Sequence, residues 1–176
     1  MKVEGVQHID APRAKVYQLL VDPVGLSRFI PGCEQLERTG DNTFAATLKA
    51  GVGSIKGTFK STVKLEDLRP NEHFRMVVDG KGAPGFVKGS GDLDLSDEDV
   101  GTSVKYSGDI QVGGTIASVG QRMIQATAKM MAVQFFTSLE RDAKPSGDTS
   151  SAPPPNFFRR ALSWISGWLR EFFRKR

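Results

Sequence analysis

Residues 104–141 read VKYSGDIQVGGTIASVGQRMIQATAKMMAVQFFTSLER, and the spacing of the apolar residues changes in the middle of this stretch. The first part has the two-residue period of a half-buried strand, carried by Val104, Tyr106, Gly108, Ile110 and Val112. Gly113 and Gly114 then end the strand pattern. Residues 115–141 contain no proline and no internal turn signal, so we expect one long helix there.

The same two-residue period extends over most of the preceding chain. Apolar or small residues alternate with polar ones from about residue 33, and turn-forming clusters near residues 40–42, 51–53, 70–71, 80–85 and 97–101 separate the segments. A strand over 2–9 and short helices over 13–21 and 25–30 come first. The predicted fold class is therefore α+β: a curved antiparallel sheet wraps around a long C-terminal helix in a domain spanning residues 1–143.

Charge is distributed unevenly along the chain. Residues 156–176 hold six Lys/Arg and one Asp/Glu, whereas residues 1–155 hold 18 Lys/Arg and 19 Asp/Glu. A nucleic-acid-binding domain carries its basic patch on the folded body, so we expect no nucleic acid partner. With Cys33 as its single cysteine the chain forms no internal disulfide, which fits a reducing, cytoplasmic compartment. We find no signal-peptide pattern and no apolar run long enough to span a membrane.

Residues 144–155, KPSGDTSSAPPP, have the composition of a flexible linker with a typical reach of about 20 Å. Residues 156–176 then predict a basic amphipathic helix, because at about 100° per residue the apolar side chains occupy one half of the wheel. Aromatic residues opposite Lys/Arg are typical of helices that lie on anionic membranes. The predicted membrane-binding residues are Phe157, Phe158, Arg159, Arg160, Leu162, Trp164, Ile165, Trp168, Leu169, Arg170, Phe172, Phe173 and Arg174. Packing on the helix's own domain or on a partner protein are the alternatives.

Residue types that support catalysis or metal binding are sparse. The chain has two histidines, His8 and His73, and none of the HExxH, CxxC, GxSxG or phosphate-loop patterns. The histidines and the one cysteine are too few for a zinc site. Cys33 follows Pro-Gly and is expected to be a small packing residue. We therefore predict no catalytic set and no metal.

The inward faces of the predicted sheet and helix combine bulky apolar residues with small ones, which is compatible with a ligand cavity and equally with a filled core. A helical stripe through residues 116, 120, 123, 127, 130, 131 and 134 supplies the helix side. The predicted cavity residues are Leu48, Phe59, Phe74, Met76, Phe86, Ile110, Ile116, Gly120, Met123, Thr127, Met130 and Gln134.

Three segments, residues 30–34 (IPGCE), 51–59 (GVGSIKGTF) and 113–122 (GGTIASVGQR), carry a resemblance to a known family. With this order of elements the chain resembles the START-like helix-grip superfamily of polyketide cyclases and lipid-transfer proteins. Within it, residues 1–143 are similar to the G-subunit family of carbon monoxide dehydrogenase. The resemblance implies a sheet that grips a long helix around an apolar cavity.

The resemblance also implies a function. It implies a non-catalytic accessory protein that recruits a molybdenum–copper carbon monoxide dehydrogenase to the inner face of the cytoplasmic membrane. It further implies that the cavity carries a respiratory quinone, menaquinone or ubiquinone. On the inner stripe of the predicted helix, Thr127 or Gln134 would hydrogen-bond a quinone carbonyl. The glycine-rich residues 80–85 and 51–53 would form the mouth. Two alternatives remain: a cyclase or aromatase that uses His73 and Tyr106, and a recruitment module with a filled core.

Overall fold

The alternating pattern folds into one seven-stranded antiparallel sheet in this computed structural model, which describes residues 1–144. The strands pair in the order β1-β7-β6-β5-β4-β3-β2. Their bounds are β1 Lys2–Ile9, β2 Cys33–Gly40, β3 Thr43–Val52, β4 Ile55–Arg69, β5 His73–Gly82, β6 Gly85–Asp97 and β7 Thr102–Gly113. The predicted α+β fold, with an antiparallel sheet followed by a C-terminal helix, is confirmed.

Two short helices connect β1 to β2, namely α1 (Arg13–Val21) and α2 (Pro23–Phe29). The carboxylate of Asp22 accepts a hydrogen bond of 2.9 Å from the backbone N–H of Gly25 and so caps the start of α2. By contrast, α1 begins at Arg13 directly after Pro12, and no side-chain hydrogen bond caps its start. The chain therefore turns at Asp22-Pro23 and brings both helices to one end of the sheet, where their apolar side chains enter the core.

The predicted single helix over 115–141 is wrong at its start. Residues Thr115–Val119 form a 3₁₀ helix, and α3 spans Gln121–Ala143. Gly120 separates the two with φ 89° and ψ 147°, a conformation that other residues rarely adopt. The 3₁₀ helix advances about 120° per residue instead of about 100°, so a stripe drawn through Ile116 does not continue along α3.

The face that α3 buries is therefore rotated from the predicted one. Its buried residues are Ile124, Phe136, Leu139 and Ala143. Met123, Met130 and Val133, by contrast, are 49%, 54% and 54% exposed. The predicted stripe through Met123, Met130 and Gln134 thus lies on the solvent side of α3.

Two apolar clusters form at opposite ends of the sheet. The larger one joins α1, α2 and the C-terminal half of α3 to buried residues of the central strands, among them Leu65, Phe74, Leu93 and Val104. The smaller one contains Val52, Phe59, Ile116 and Ile124. Between the two clusters, most residues on the inner face of the sheet are only half-buried.

Candidate ligand-binding site

Strand register places three rows of residues across the middle of the sheet, on the face that α3 covers. One row contains Ala46, Ser61, Gly80, Val87 and Val112. The next contains Phe44, Val63, Val78, Gly89 and Ile110, and the third contains Leu65, Met76, Gly91, Gly108 and Val3. We call these rows the middle rows. Gly91 lies directly opposite Gly108, and Gly89 lies between Val78 and Ile110, so much of this surface has no side chain.

The middle rows are partly accessible to solvent although they lie beneath a helix. Ten of their residues are only half-buried: Val3, Val63, Met76, Val78, Val87, Gly89, Gly91, Gly108, Ile110 and Val112. Toward the larger cluster, the same face is fully buried at Phe74, Leu93 and Val104. Close packing of α3 on the middle rows would bury these residues too. The middle of the sheet is accordingly less closely packed than the end that holds the larger cluster.

The position of α3 accounts for this looser packing. Among the strands, its backbone comes closest to β1 and β3, which lie toward opposite sides of the sheet. A helix that is near both flanks of a curved sheet spans the concave centre. The stacked rings of Tyr106 and Phe136, with centroids 5.3 Å apart, lie on the side of the larger cluster. The hydroxyl of Tyr106 occupies the volume that a Cβ on Gly5 would fill, so β1 packs closely there.

Ser61 is a polar residue that sequence reasoning left out of the site. It lies in a middle row between Ala46 and Gly80, is buried, and has its Oγ 2.6 Å from the position of a Cβ on Gly80. A hydroxyl on an otherwise apolar surface can orient a ligand through one hydrogen bond. The sequence could have indicated this position, because Ser61 alternates in step with the inward-facing Phe59, Val63 and Leu65 of strand Ile55–Arg69.

The family model for the G-subunit of carbon monoxide dehydrogenase (CoxG) matches residues 5–144. The chain belongs to this family. No curated protein matches it. The match covers the sheet, both short helices and α3, so membership in the CoxG family applies to the domain that contains the middle rows.

Solved structures show the same fold. A conserved protein from Geobacillus kaustophilus shares 32% sequence identity with a TM-score of 0.78, covering 81% of this chain and 95% of that one. An aromatase/cyclase from a Streptomyces species is 17% identical with a TM-score of 0.62, covering 86% and 98% of the two chains. Ara h 8.0201 is 17% identical with a TM-score of 0.58, covering 81% and 97%. The latter two likenesses establish the helix-grip fold alone.

The fold brings seven of the twelve predicted cavity residues to the interior. Met76 and Ile110 are half-buried in the middle rows, Leu48 is half-buried beside them in register with Phe59, and Thr127 is half-buried on α3. Phe59, Phe74 and Ile116 are buried members of the two clusters, which makes them packing residues at the two ends of the sheet.

Five predicted cavity residues are exposed: Phe86, Gly120, Met123, Met130 and Gln134. For those of α3, the helix phase is the reason. Gln134 instead lines an open depression of about 350 Å³ between α2 and α3, together with Phe29 and Val133. Gln134 is therefore not placed to hydrogen-bond a quinone between α3 and the sheet.

Phe86 is excluded by strand phase. In β6 the residues Val87, Gly89, Gly91, Leu93 and Leu95 face α3, so Phe86 faces away, and its side chain is 38% exposed. Its ring covers the Cα of Gly113, where a Cβ would collide with it. The predicted turn at residues 80–85 is also shorter than expected, since β5 continues to Gly82 and β6 begins at Gly85.

His73 and Tyr106, the acid/base pair of the alternative enzymatic hypothesis, lie on opposite faces of the sheet. Tyr106 stacks on Phe136 under α3. His73 precedes the buried Phe74 and contacts Asp94 on the outer face, with 2.7 Å between Nδ1 and Oδ1. The two side chains therefore do not meet at one substrate.

Cys33 is half-buried, and burial raises the pKa of its thiol, so it agrees with the predicted packing role and not with a reactive nucleophile. Across residues 1–144, no group of three or more His, Cys, Asp or Glu is placed to hold a metal ion. No helix in that part of the chain is long and apolar enough to cross a bilayer. The predicted linker from residue 145 onward and every membrane-binding residue predicted between 157 and 174 lie outside the described residues.

Proposed function

We propose that this protein carries a respiratory quinone, menaquinone or ubiquinone, in the space between α3 and the middle rows, and recruits carbon monoxide dehydrogenase to the cytoplasmic membrane. The observation that carries the proposal is the half-exposed apolar face beneath α3 in a domain of the CoxG family. The family's name supports carbon monoxide dehydrogenase as the partner.

The chemistry of the middle rows suits an isoprenoid chain. Val63, Val78, Ile110 and Met76 offer aliphatic or thioether contacts, and the glycines between them let a flat or branched guest approach the sheet backbone. Each CH₂ group that leaves water contributes about 0.8 kcal/mol, so even a few isoprene units favour this surface over the aqueous phase. Ser61 and Thr127 supply hydroxyl groups for a quinone carbonyl.

Membrane recruitment rests on the amino-acid sequence of residues 156–176. Trp164 and Trp168 suit the headgroup boundary, and the arginines oppose insertion across the bilayer while favouring an anionic surface. Tethering by the linker 144–155 would keep the carrier at the inner membrane face while it meets the enzyme. Non-catalytic transfer of quinone between lipid and enzyme follows from this arrangement.

The test of the carrier function is mass spectrometry of an organic extract of the purified full chain, with two matched variants. Val78→Phe adds volume in a middle row, whereas Val77→Phe adds the same volume on the opposite face of the same strand. Both valines are half-buried. We expect quinone to copurify with the wild-type chain and with Val77→Phe, and its yield to fall at least fivefold in Val78→Phe, at unchanged far-UV circular dichroism.

The wild-type chain should be purified from cells that respire on carbon monoxide. If its extract contains neither quinone nor other lipid, the carrier function is refuted and the protein is a recruitment module without a ligand. Equal quinone yield from both variants would show that the ligand does not bind at the middle rows. The recruitment half is measured separately, as the share of carbon monoxide dehydrogenase activity that sediments with membranes. That share should drop several-fold when Trp164 and Trp168 are both replaced by glutamate, and an unchanged share would refute recruitment by the tail.

A further inference from the structure

Three segments of the domain contain only positive charges. Residues 43–65, 80–91 and 110–130 together hold eight Lys/Arg and no Asp/Glu. The eight are Lys49, Lys56, Lys60, Lys64, Lys81, Lys88, Arg122 and Lys129. In a domain with nearly equal numbers of both charges, the acids must therefore lie elsewhere.

The fold brings these three segments together at one end. Gly57 of β4 lies against the ring of Pro84 in the β5–β6 turn. The carbonyl of Pro84 accepts a hydrogen bond of 2.9 Å from the N–H of Ile116 in the 3₁₀ helix. A Cβ on Gly53, in the β3–β4 turn, would lie 3.5 Å from the Sδ of Met123 at the start of α3. We call this the hairpin end of the domain.

Acidic residues gather at the opposite end. The last part of β6 and the β6–β7 turn contain Asp92, Asp94, Asp97, Glu98 and Asp99. The end of β4 and the following turn add Glu66, Asp67 and Glu72. Because antiparallel strands place alternate turns at opposite ends, this acidic group lies at the end of the sheet opposite the hairpin end.

Some lysines of the basic segments are neutralised locally. Lys49 pairs with Glu34 at 2.7 Å, Lys64 with Glu66 at 2.9 Å and Lys88 with Asp79 at 3.1 Å. Among residues 1–144, no carboxylate lies within 4.0 Å of the ammonium group of Lys56, Lys60 or Lys81.

Lys60 and Lys81 also occupy directly opposed positions on neighbouring strands. Like charges in that position destabilise a sheet, so folding does not account for this pair. Exposed apolar side chains accompany the cations: Phe86 is in register with Lys81 on the outer face, and Met123 lies at the β3–β4 turn. A surface that mixes unpaired lysines with exposed Phe and Met is suited to the boundary between lipid headgroups and acyl chains.

We infer that the hairpin end is a second, body-borne contact for an anionic lipid surface, and that it orients the carrier domain on the membrane with its acidic end directed away. This inference rests on the proposed membrane attachment. Lipid is favoured over an acidic protein because the cations are distributed over three chain segments around the end and because exposed apolar side chains accompany them.

The first experiment measures sedimentation of the full chain with vesicles of phosphatidylglycerol and phosphatidylcholine. The test variant is Lys56→Gln/Lys60→Gln/Lys81→Gln. Its control is Lys15→Gln/Arg69→Gln/Lys105→Gln, which removes the same charge from exposed positions away from the hairpin end. A lysine close to an anionic leaflet contributes a factor of about five to partitioning. We expect the test variant to bind at least tenfold more weakly and the control to stay within about twofold of wild type.

The second experiment locates the contact. In a Cys33→Ser background, an environment-sensitive fluorophore is attached to Ser54→Cys at the hairpin end or to Val100→Cys in the opposite turn. Vesicles should shift the emission of the label at residue 54 to shorter wavelength and leave the label at residue 100 unchanged. Equal shifts at both positions, or none at residue 54, would overturn the inference.

The outcomes separate this inference from the function on which it rests. If the wild-type chain does not sediment with anionic vesicles, the proposed membrane attachment itself is refuted. If replacing Trp164 and Trp168 abolishes binding while the two charge variants bind equally, attachment by the tail stands and the hairpin end is excluded. If the test variant keeps vesicle binding but loses binding to purified carbon monoxide dehydrogenase, the hairpin end recognises an acidic protein surface and the lipid contact is refuted.

Discussion

Truncation of Leu139 and of Met130 to alanine tests the phase of α3, on which the location of the ligand space depends. Leu139 is fully buried in the larger cluster, whereas the Met130 side chain is 54% exposed. Removal of a fully buried leucine side chain costs about 3 kcal/mol, the sum of lost transfer free energy and the cavity that remains. Removal of an exposed side chain costs less than about 0.5 kcal/mol. Helix propensity contributes little, because Leu, Met and Ala are all good helix formers.

Urea titration of the full chain, followed by far-UV circular dichroism, gives both free energies of unfolding. The comparison is valid where the m-values of the variants equal that of the wild type. A loss of about 3 kcal/mol also lowers the melting temperature by roughly 6–12 °C in a domain of this size. The stripe drawn through Met123, Met130 and Gln134 requires the opposite ranking. If Met130→Ala lowers the free energy of unfolding as much as Leu139→Ala does, α3 buries a different face and the proposed ligand site is incorrect.

Three further predictions concern backbone, charge and thiol chemistry. Gly120→Ala should lower the free energy of unfolding by about 1–3 kcal/mol, because alanine is strained at this positive φ. Gly114→Ala should lower it further, because the added Cβ would also lie 2.6 Å from the backbone of Gly85. Urea titration that gives the reverse order would contradict both expectations. The hydrogen bond from His8 holds the pKa of Glu98 below its usual value, so His8→Ala should raise that pKa in an NMR titration, and no change would disprove the bond. Its stabilisation is present above the ordinary carboxyl pKa and is lost as pH falls through the lowered one. Burial raises the pKa of Cys33, so iodoacetamide should modify it several-fold more slowly in the native chain than in urea, and equal rates would show an accessible thiol.

The strands were predictable because alternation is a local property. Each residue in a strand points to the side opposite its neighbours, so Val104, Tyr106 and Ile110 indicated one buried face without any knowledge of their partners. The first strand was predicted with the bounds that the structure has, Lys2–Ile9. Phe86 shows the limit of this reasoning. A bulky apolar residue among glycines looks like an inward-facing one in the sequence, and only the alternation of its neighbours in β6 shows that it lies on the outer face.

The helix side of the site was not predictable from spacing alone. Residues 115–141 show no break in composition, yet Gly120 adopts a positive φ and resets the phase between the 3₁₀ helix and α3. A glycine permits such a conformation without requiring it. Ile116 is anchored to Pro84 by a hydrogen bond, and Leu139 and Ala143 are anchored in the larger cluster. These two anchors, which are far apart in sequence from their partners, decide which face α3 buries.

The amino-acid sequence by itself determined the order of the elements, the antiparallel sheet, the family resemblance and the uneven charge between body and tail, because each of these depends on residue types at short spacing. Tertiary structure decided which side chains lie under α3 and that basic segments distant in sequence meet at one end of the domain. The physical reason is that cross-strand register and helix phase arise from long-range packing. Residues such as Gly57 and Pro84, or Gly53 and Met123, become neighbours only when the sheet closes around the helix.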